Sequence, residues 1–417
     1  MKKKLQIIMM IISFLVILSS CGTQKVTENV DCNTDGKLHC GYFYQDEGIS
    51  LTTSKHFMES CSWNPVEFDY ICQDMACTHK SDKCYANFIS LKELLTEEET
   101  RTGSSIFSFK IDDKRIIIDT YIDEYLIEVD KETGLYINKI FYVTDVYESK
   151  PDGRDRRVVA SFDGGIDASI ISNAVVINNG KLYFGGAVSD VMTTQIENET
   201  GLMEAMTLEV EYAFYEIDLL DYSVRILGKT DGKQECKYTC QVYSSDDWTY
   251  LSRYNSSEEK GVWYAVNSIT GECQEIAHFE IEAPRILGCI EDSVIAYRNN
   301  ILFQYDWMKK EMKELYCGSE DKELIAFVLA DEIWIATDKS LEKDNNFVEY
   351  TILDIKGNIL RNNHYSDYIT FLDVIGDRVL YLKPLTEGIE EWWCELDKVD
   401  TLENSVYIGN YFGRDME

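Results

Sequence analysis

The phrase Asp113-Lys-Arg-Ile-Ile-Ile returns as Gly180-Lys-Leu-Tyr-Phe, Asp247-Trp-Thr-Tyr-Leu, Asp292-Ser-Val-Ile-Ala-Tyr, Asp331-Glu-Ile-Trp-Ile-Ala and Asp377-Arg-Val-Leu-Tyr-Leu. Each copy joins an acidic or glycine turn to a run of β-branched and aromatic residues, the composition of a strand leaving a hairpin. Successive intervals are 67, 67, 45, 39 and 46 residues. A period of about 40 to 45 with four short strands per unit marks a β-propeller blade, and the long intervals hold inserts. A third strand recurs with its own ending, from Tyr215 to Asp218, Tyr264 to Asn267, Phe303 to Asp306, Thr351 to Asp354 and Cys394 to Asp397. The closing Asp or Asn bonds the backbone two residues on and turns the chain into an outermost strand.

Six such units follow residue 105, and strands near 39–44, 56–61 and 68–72 supply a seventh. The expected fold is therefore all-β, a β-propeller of seven blades with six as the alternative count. Blades occupy 101–415, and a Cys/His-rich segment, 36–100, contributes strands to ring closure. A β-sandwich pair is the competing architecture. Over 417 residues the 27 Tyr, 17 Phe and 7 Trp against 4 Pro suit half-buried strands. Seventy-four acids oppose 40 Lys and Arg, a formal charge of −34 that repels a polyanion, so nucleic acid is not an expected partner.

The first twenty residues read as an export signal: Lys2, Lys3 and Lys4, an apolar run from Leu5 to Leu18, then Ser19 and Ser20. Leu18-Ser19-Ser20-Cys21-Gly22 resembles the bacterial lipobox, which implies that Cys21 carries a diacylglyceryl group and begins the mature protein. Two acyl chains tether firmly where one is marginal. Residues 21–35 then form a polar spacer from the lipidated Cys. Loss of the signal removes three lysines and leaves about −37 on the mature chain. The expected location is the extracytoplasmic face of a cell membrane, with the bilayer as one partner and an extracellular protein, peptide or glycan as the other.

The lipobox, the blade phrase and the turn Pro151-Asp152-Gly153-Arg154 together resemble the propeller lipoproteins of anaerobic Gram-positive bacteria, which are similar to TolB-like and low-density-lipoprotein-receptor-like propellers. That resemblance implies the fold and the anchor and leaves the activity open.

Besides Cys21 there are twelve cysteines, six of them (Cys32, Cys40, Cys61, Cys72, Cys77 and Cys84) in the first 84 residues. Cys72, Cys77, His79 and Cys84 place three thiols and an imidazole within thirteen residues, a donor set for structural zinc at non-standard spacing. Disulfides and free thiols are the alternative states, and either a metal or a disulfide would staple an irregular segment to the ring. Cys236 and Cys240 are read as thiols or long-range partners, and Cys273, Cys289, Cys317 and Cys394 as small core residues.

No contiguous catalytic frame surrounds His39, His56, His79, His278 or His364. No catalytic residue is assigned, and the leading expectation is a binding module. A propeller hydrolase or lyase acting on polysaccharide is the alternative, since such enzymes assemble carboxylates from separate blades around the channel. The acidic pairs Asp112-Asp113, Asp246-Asp247 and Glu291-Asp292 are read as hairpin chemistry before cation ligands. Two inserts, 122–138 and 187–211, are read as loops that carry specificity, the second through Met192, Met203 and Met206. Leu91 to Glu99 has a helical apolar spacing.

Overall fold

The computed structural model describes residues 36–410 apart from 40–41, 46, 53–55, 81–83, 88–104, 130–135, 167–174, 198–202, 234–237, 256–259, 281–283, 291–292, 319–324, 337–347 and 386–387. Signal, Cys21, spacer, Cys32, Cys40, Cys236, the pair Glu291-Asp292 and the stretch Leu91 to Glu99 fall outside these residues.

Tight hairpins generate the repeat. At the turn between the first two strands of a blade the first turn residue is left-handed: Asp112 (φ 51°), Asn179 (φ 49°), Asp246 (φ 48°), Ala330 (φ 52°) and Gly376 (φ 57°). Positive φ there matches the right-handed twist of the flanking strands, and Asp, Asn and Gly adopt it at least cost. That is the function of the acidic pairs at 112–113 and 246–247. The Asp/Asn ending of the third strand acts similarly. Asp218 Oδ1 accepts from the Leu220 N–H at 2.9 Å, Asn267 Oδ1 from Thr270 at 2.8 Å, Asp306 Oδ1 from Lys309 at 3.0 Å, and Asp354 Oδ1 from Lys356 at 2.8 Å.

After a leading strand, β1 (Gly36–His39), blade 1 comprises β2 (Tyr42–Gln45), β3 (Gly48–Thr52), β4 (Phe57–Ser60) and β5 (Asp69–Tyr70). Blade 2 holds β6 (Ser105–Ile111), β7 (Lys114–Val129), β8 (Tyr136–Ser149) and β9 (Arg157–Asp163). A short β10 (Gly165–Ile166) precedes blade 3, with β11 (Val175–Asn178), β12 (Lys181–Glu197), β13 (Met203–Asp218) and β14 (Val224–Lys233). Four separate four-stranded sheets complete the ring. They are β15 (Tyr238–Ser245) to β18 (Cys273–Phe279), β19 (Arg285–Ile290) to β22 (Glu311–Cys317), β23 (Ala326–Leu329) to β26 (Ile359–Tyr365), and β27 (Thr370–Ile375) to β30 (Val406–Asn410). Innermost strands of successive blades touch, β11 to β15 to β19 to β23 to β27. The fold is thus an all-β propeller of seven blades.

Ring closure uses side chains. Among the described residues, no strand passes between blades 1 and 7. Instead Tyr42, Tyr44, Ile49, Leu51 and Trp63 share one apolar cluster with Ile375, Leu380, Trp393 and Ile408. The Trp393 indole N–H donates to the Trp63 carbonyl at 2.8 Å, their rings meet edge-on at 5.6 Å, and the Arg378 guanidinium lies 4.8 Å over the Trp63 ring. Between blades 1 and 2, a fully buried Arg115 pairs with Glu59 and donates to Ser108 Oγ and the Pro151 carbonyl. Cys394 is a buried core residue as expected, whereas Cys317 ends an outermost strand and is exposed. Its position on an outer edge, not its residue type, decides that.

Candidate functional site: axial strand, hairpin platform and Cys/His cluster

Three features depart from a plain ring. The first is β1. It pairs antiparallel with β2 (Gly36 opposite Gln45, His39 opposite Tyr42) and with β11 (Gly36 opposite Ile177). It therefore lies inside the innermost strands of blades 1 and 3. Its Lys37 reaches Asp373 of β27, in blade 7, at 2.7 Å. The axis that a propeller enzyme would line with catalytic groups holds the protein's own backbone and an ion pair. Leu38 is buried in the core shared with Phe43, Phe107 and Ile177.

The second feature replaces an expectation. In their described residues, segments 122–138 and 187–211 are not loops but continuations of β7 and β8 (122–129 and 136–138), and of β12 and β13 (187–197 and 203–211). Four residues of the seventeen in β12 pair with β11, and the rest run on for about 40 Å at the rise of a strand. The two hairpins join edge to edge: Asp190, Val191, Met192, Thr193 and Thr194 pair with Phe141, Ile140, Lys139, Asn138 and Ile137. Met192 pairs with Glu209, Met203 with Glu197 and Met206 with Thr194, so all three methionines stand on one hairpin of this joint sheet. Hydrogen bonding along the hairpin satisfies a backbone that a loop of this length would leave to solvent.

From Ile122 onward, among the described residues, no strand pairs with β7 on the edge that β6 covers up to Thr120. That edge carries Leu126, Ile127 and Val129, all exposed (Ile127 at 61%), beside exposed Asp123, Glu124 and Glu128. A bulge between Ile122 and Glu124 re-aims the strand as it leaves the blade.

The third feature is the cluster in the segment after β4. Cys72 Sγ, Cys77 Sγ, Cys84 Sγ and a His79 ring nitrogen lie within 4.8 Å of one another. Local chemistry assembles them. Asp74 Oδ1 accepts from the Ala76 N–H at 2.9 Å and its carbonyl accepts from Cys77 at 2.9 Å, a turn that brings Cys77 back over Cys72. His79 takes a left-handed φ of 56°, stacks on Tyr70 at 4.3 Å and sets Nδ1 3.4 Å from Cys84 Sγ. His56 Nε2 holds the His79 carbonyl at 2.9 Å. Burial pushes the Cys84 thiol up to about 12, while the His79 backbone N–H lowers that of Cys77. The four side chains form a group able to hold a metal ion.

Cys61, Cys72, Cys77, Cys84, Cys273, Cys289, Cys317 and Cys394 are free thiols, and no disulfide occurs among the described residues. His278 and His364 are exposed on outermost strands with Glu neighbours, His278 Nε2 lying 2.9 Å from Glu280. The axial strand and the joining of the hairpins were missed in the sequence. Gly36-Lys-Leu-His carries no motif, and a pairing between residues fifty apart leaves no local signal.

No protein-family model matches the chain, and no curated protein matches it. Similar solved structures include prolyl oligopeptidase B from Galerina marginata, at 8% identity over 92% of this chain and 51% of that one, with a TM-score of 0.48. TolB from Acinetobacter baumannii is 12% identical over 70% of this chain and 77% of its own, TM-score 0.31. The β-propeller domain of the trilobed protease from Pyrococcus furiosus is 10% identical over 71% and 82%, TM-score 0.36. The chain spans about half the length of the prolyl peptidases it matches. At these identities the likeness concerns the propeller architecture alone.

Proposed function

We propose that this chain is a non-catalytic binding propeller, anchored to the outer face of a membrane through acylated Cys21, that captures an extended polypeptide on the joined hairpins. The open edge of β7 carries the reading. From Ile122 its backbone, which no described strand pairs on that edge, accepts a further strand, its exposed Leu126, Ile127 and Val129 offer apolar contact, and Asp123, Glu124 and Glu128 select a basic partner. Strand direction supports display. Because β1 is antiparallel to both β2 and β11, Gly36 lies at the end of blade 3 where β11 turns into β12, and β12 runs from there toward the opposite end. Gly36, the first described residue, thus lies at the end of the ring opposite the platform. The resident cofactor we assign is one zinc ion on Cys72, Cys77, His79 and Cys84, structural because three sulfurs and one nitrogen fill a tetrahedral shell.

The test is binding of the mature chain to an array of extended peptides of graded charge. Basic, apolar-alternating peptides are expected to bind, and the double substitution Leu126→Glu with Ile127→Glu to abolish binding without unfolding the ring. Uniform binding of acidic and basic peptides sinks the reading. So does turnover of peptides or glycans by a single site, which would favour the hydrolase or lyase alternative.

A further inference from the structure

We infer that the metal ion is a clip that fastens the irregular segment from Cys61 to Asn87 between blades 1 and 2; the inference rests on the zinc assignment above and adds what the ion does.

The segment has little regular structure to hold it. Among its described residues the one strand is the two-residue β5. From its far end the Ala86 carbonyl accepts from the Phe57 N–H at 2.7 Å, and Asn87 closes a turn on the Cys84 carbonyl at 2.9 Å. Ile71, Cys72, Cys84 and Ala86 are buried against Phe57 of blade 1 and against Ile117 and Tyr147 of blade 2. Cys72 and Cys84 thus do double duty as core residues and as metal donors, so the ion fixes the middle of the segment to its end near Asn87 at the blade junction.

Blade 2 is shaped to receive it. Arg156, half-buried, donates to the carbonyls of Tyr85 and Asn87. It lies beside Cys84, where a cation offsets the single negative charge of three thiolates, one imidazole and Zn²⁺. Gly153, at φ +81°, lets the Tyr85 carbonyl approach to 2.6 Å from where a Cβ would stand.

Donor arithmetic favours a metal over a disulfide. Three sulfurs converge, and a disulfide engages two of them, leaving a third thiol and an oriented imidazole with no part in the bond. Zinc engages all four. Tetrahedral Zn–S bonds of ~2.3 Å set ligand atoms about 3.8 Å apart, so the observed span of up to 4.8 Å closes with a small contraction. On binding, three S–H bonds break, three Zn–S bonds and one Zn–Nδ1 bond form, and three protons pass to solvent.

The experiment is hydrogen exchange on the mature chain, purified without chelator, with zinc quantified by elemental mass spectrometry, before and after metal removal by a dithiol chelator. The expected result is one zinc per chain, and exchange of the 57–87 amides at least about a hundredfold faster after removal, the ratio for an ion present at one hundred times its dissociation constant. Blades 4 to 6 should keep their protection. The Cys77→Ser variant should reproduce the apo pattern. Gly153→Ala should loosen the same segment while retaining the metal. One zinc per chain with exchange of 57–87 unchanged on removal overturns the clip and leaves the zinc assignment standing. Absence of zinc, with an intact mass lower by two hydrogens, overturns both.

Discussion

Replacing Trp393 by alanine separates closure by side chains from closure by strand exchange. Trp393 is 6% exposed, and its indole is shared between both ends of the ring: it donates to the Trp63 carbonyl, meets the Trp63 ring edge-on and lies under Arg378. Truncating a buried Trp costs about 3 to 5 kcal/mol, and a stranded Trp63 carbonyl adds about 1 kcal/mol. The sum approaches half the stability of an ordinary domain. Trp263→Ala is the control, since that indole is fully buried between blades 4 and 5. Urea denaturation should show comparable losses for the two variants. Hydrogen exchange should not: Trp393→Ala should deprotect β3 together with blade 7 strands, and Trp263→Ala the strands of blades 4 and 5. A loss under about 1 kcal/mol for Trp393→Ala, or exchange spread evenly over all seven blades, would refute closure by this interlock.

Three further outcomes follow from the same geometry. Burial pushes the Glu391 carboxyl up to about 7, the Tyr44 hydroxyl opposing only in part. A raised pKa means the unfolded chain loses its proton first. Stability should therefore fall by about 3 kcal/mol between pH 4.5 and 7 and then level off, and Glu391→Gln should flatten that slope in pH-dependent denaturation. Glu59→Ala leaves the fully buried Arg115 guanidinium without its carboxylate and should cost about 3 to 5 kcal/mol in urea titrations, with Glu59→Gln costing less. Thr193→Pro, placed where β12 pairs with both Asn138 and Thr207, should unzip the two hairpins: exchange should rise in 137–141 and 190–194, peptide capture should fall, and the melting of blades 4 to 7 should stay unchanged.

What could be read from the sequence is what local chemistry encodes. Asp112, Asn179 and Asp246 advertise the turn because few other residues accept positive φ, and Asp218, Asn267, Asp306 and Asp354 advertise the next one because their side chains cap it. The Cys/His cluster was legible for the same reason, its four donors lying within thirteen residues. Non-local choices left no trace. The inserts at 122–138 and 187–211 were recognisable as departures from the blade period, but whether they hang as loops or zip together depends on a register between Ile137 and Thr194 that neither insert specifies alone. The expected first strand, near 39–44, is in fact split into β1 and β2, because a strand on the axis must reverse before it can begin blade 1.

An open strand edge is ordinarily a hazard, and proteins blunt it with charge and bulges. On β7 both devices are present: Asp123, Glu124 and Glu128 surround Leu126, Ile127 and Val129, and the bulge lies at Ile122/Glu124. In a chain carrying −34, those acids oppose pairing of two identical edges without blocking the backbone groups, which no described strand pairs from Ile122 onward. The same charges that prevent self-association would draw in a basic strand, so protection and selectivity come from one set of residues. Meanwhile β1 lies along the axis, with Lys37 and Asp373 paired there. With β1 lying on the axis, the platform combines an edge that no described strand pairs with exposed Leu126 on one face and exposed Ile127 and Val129 on the other.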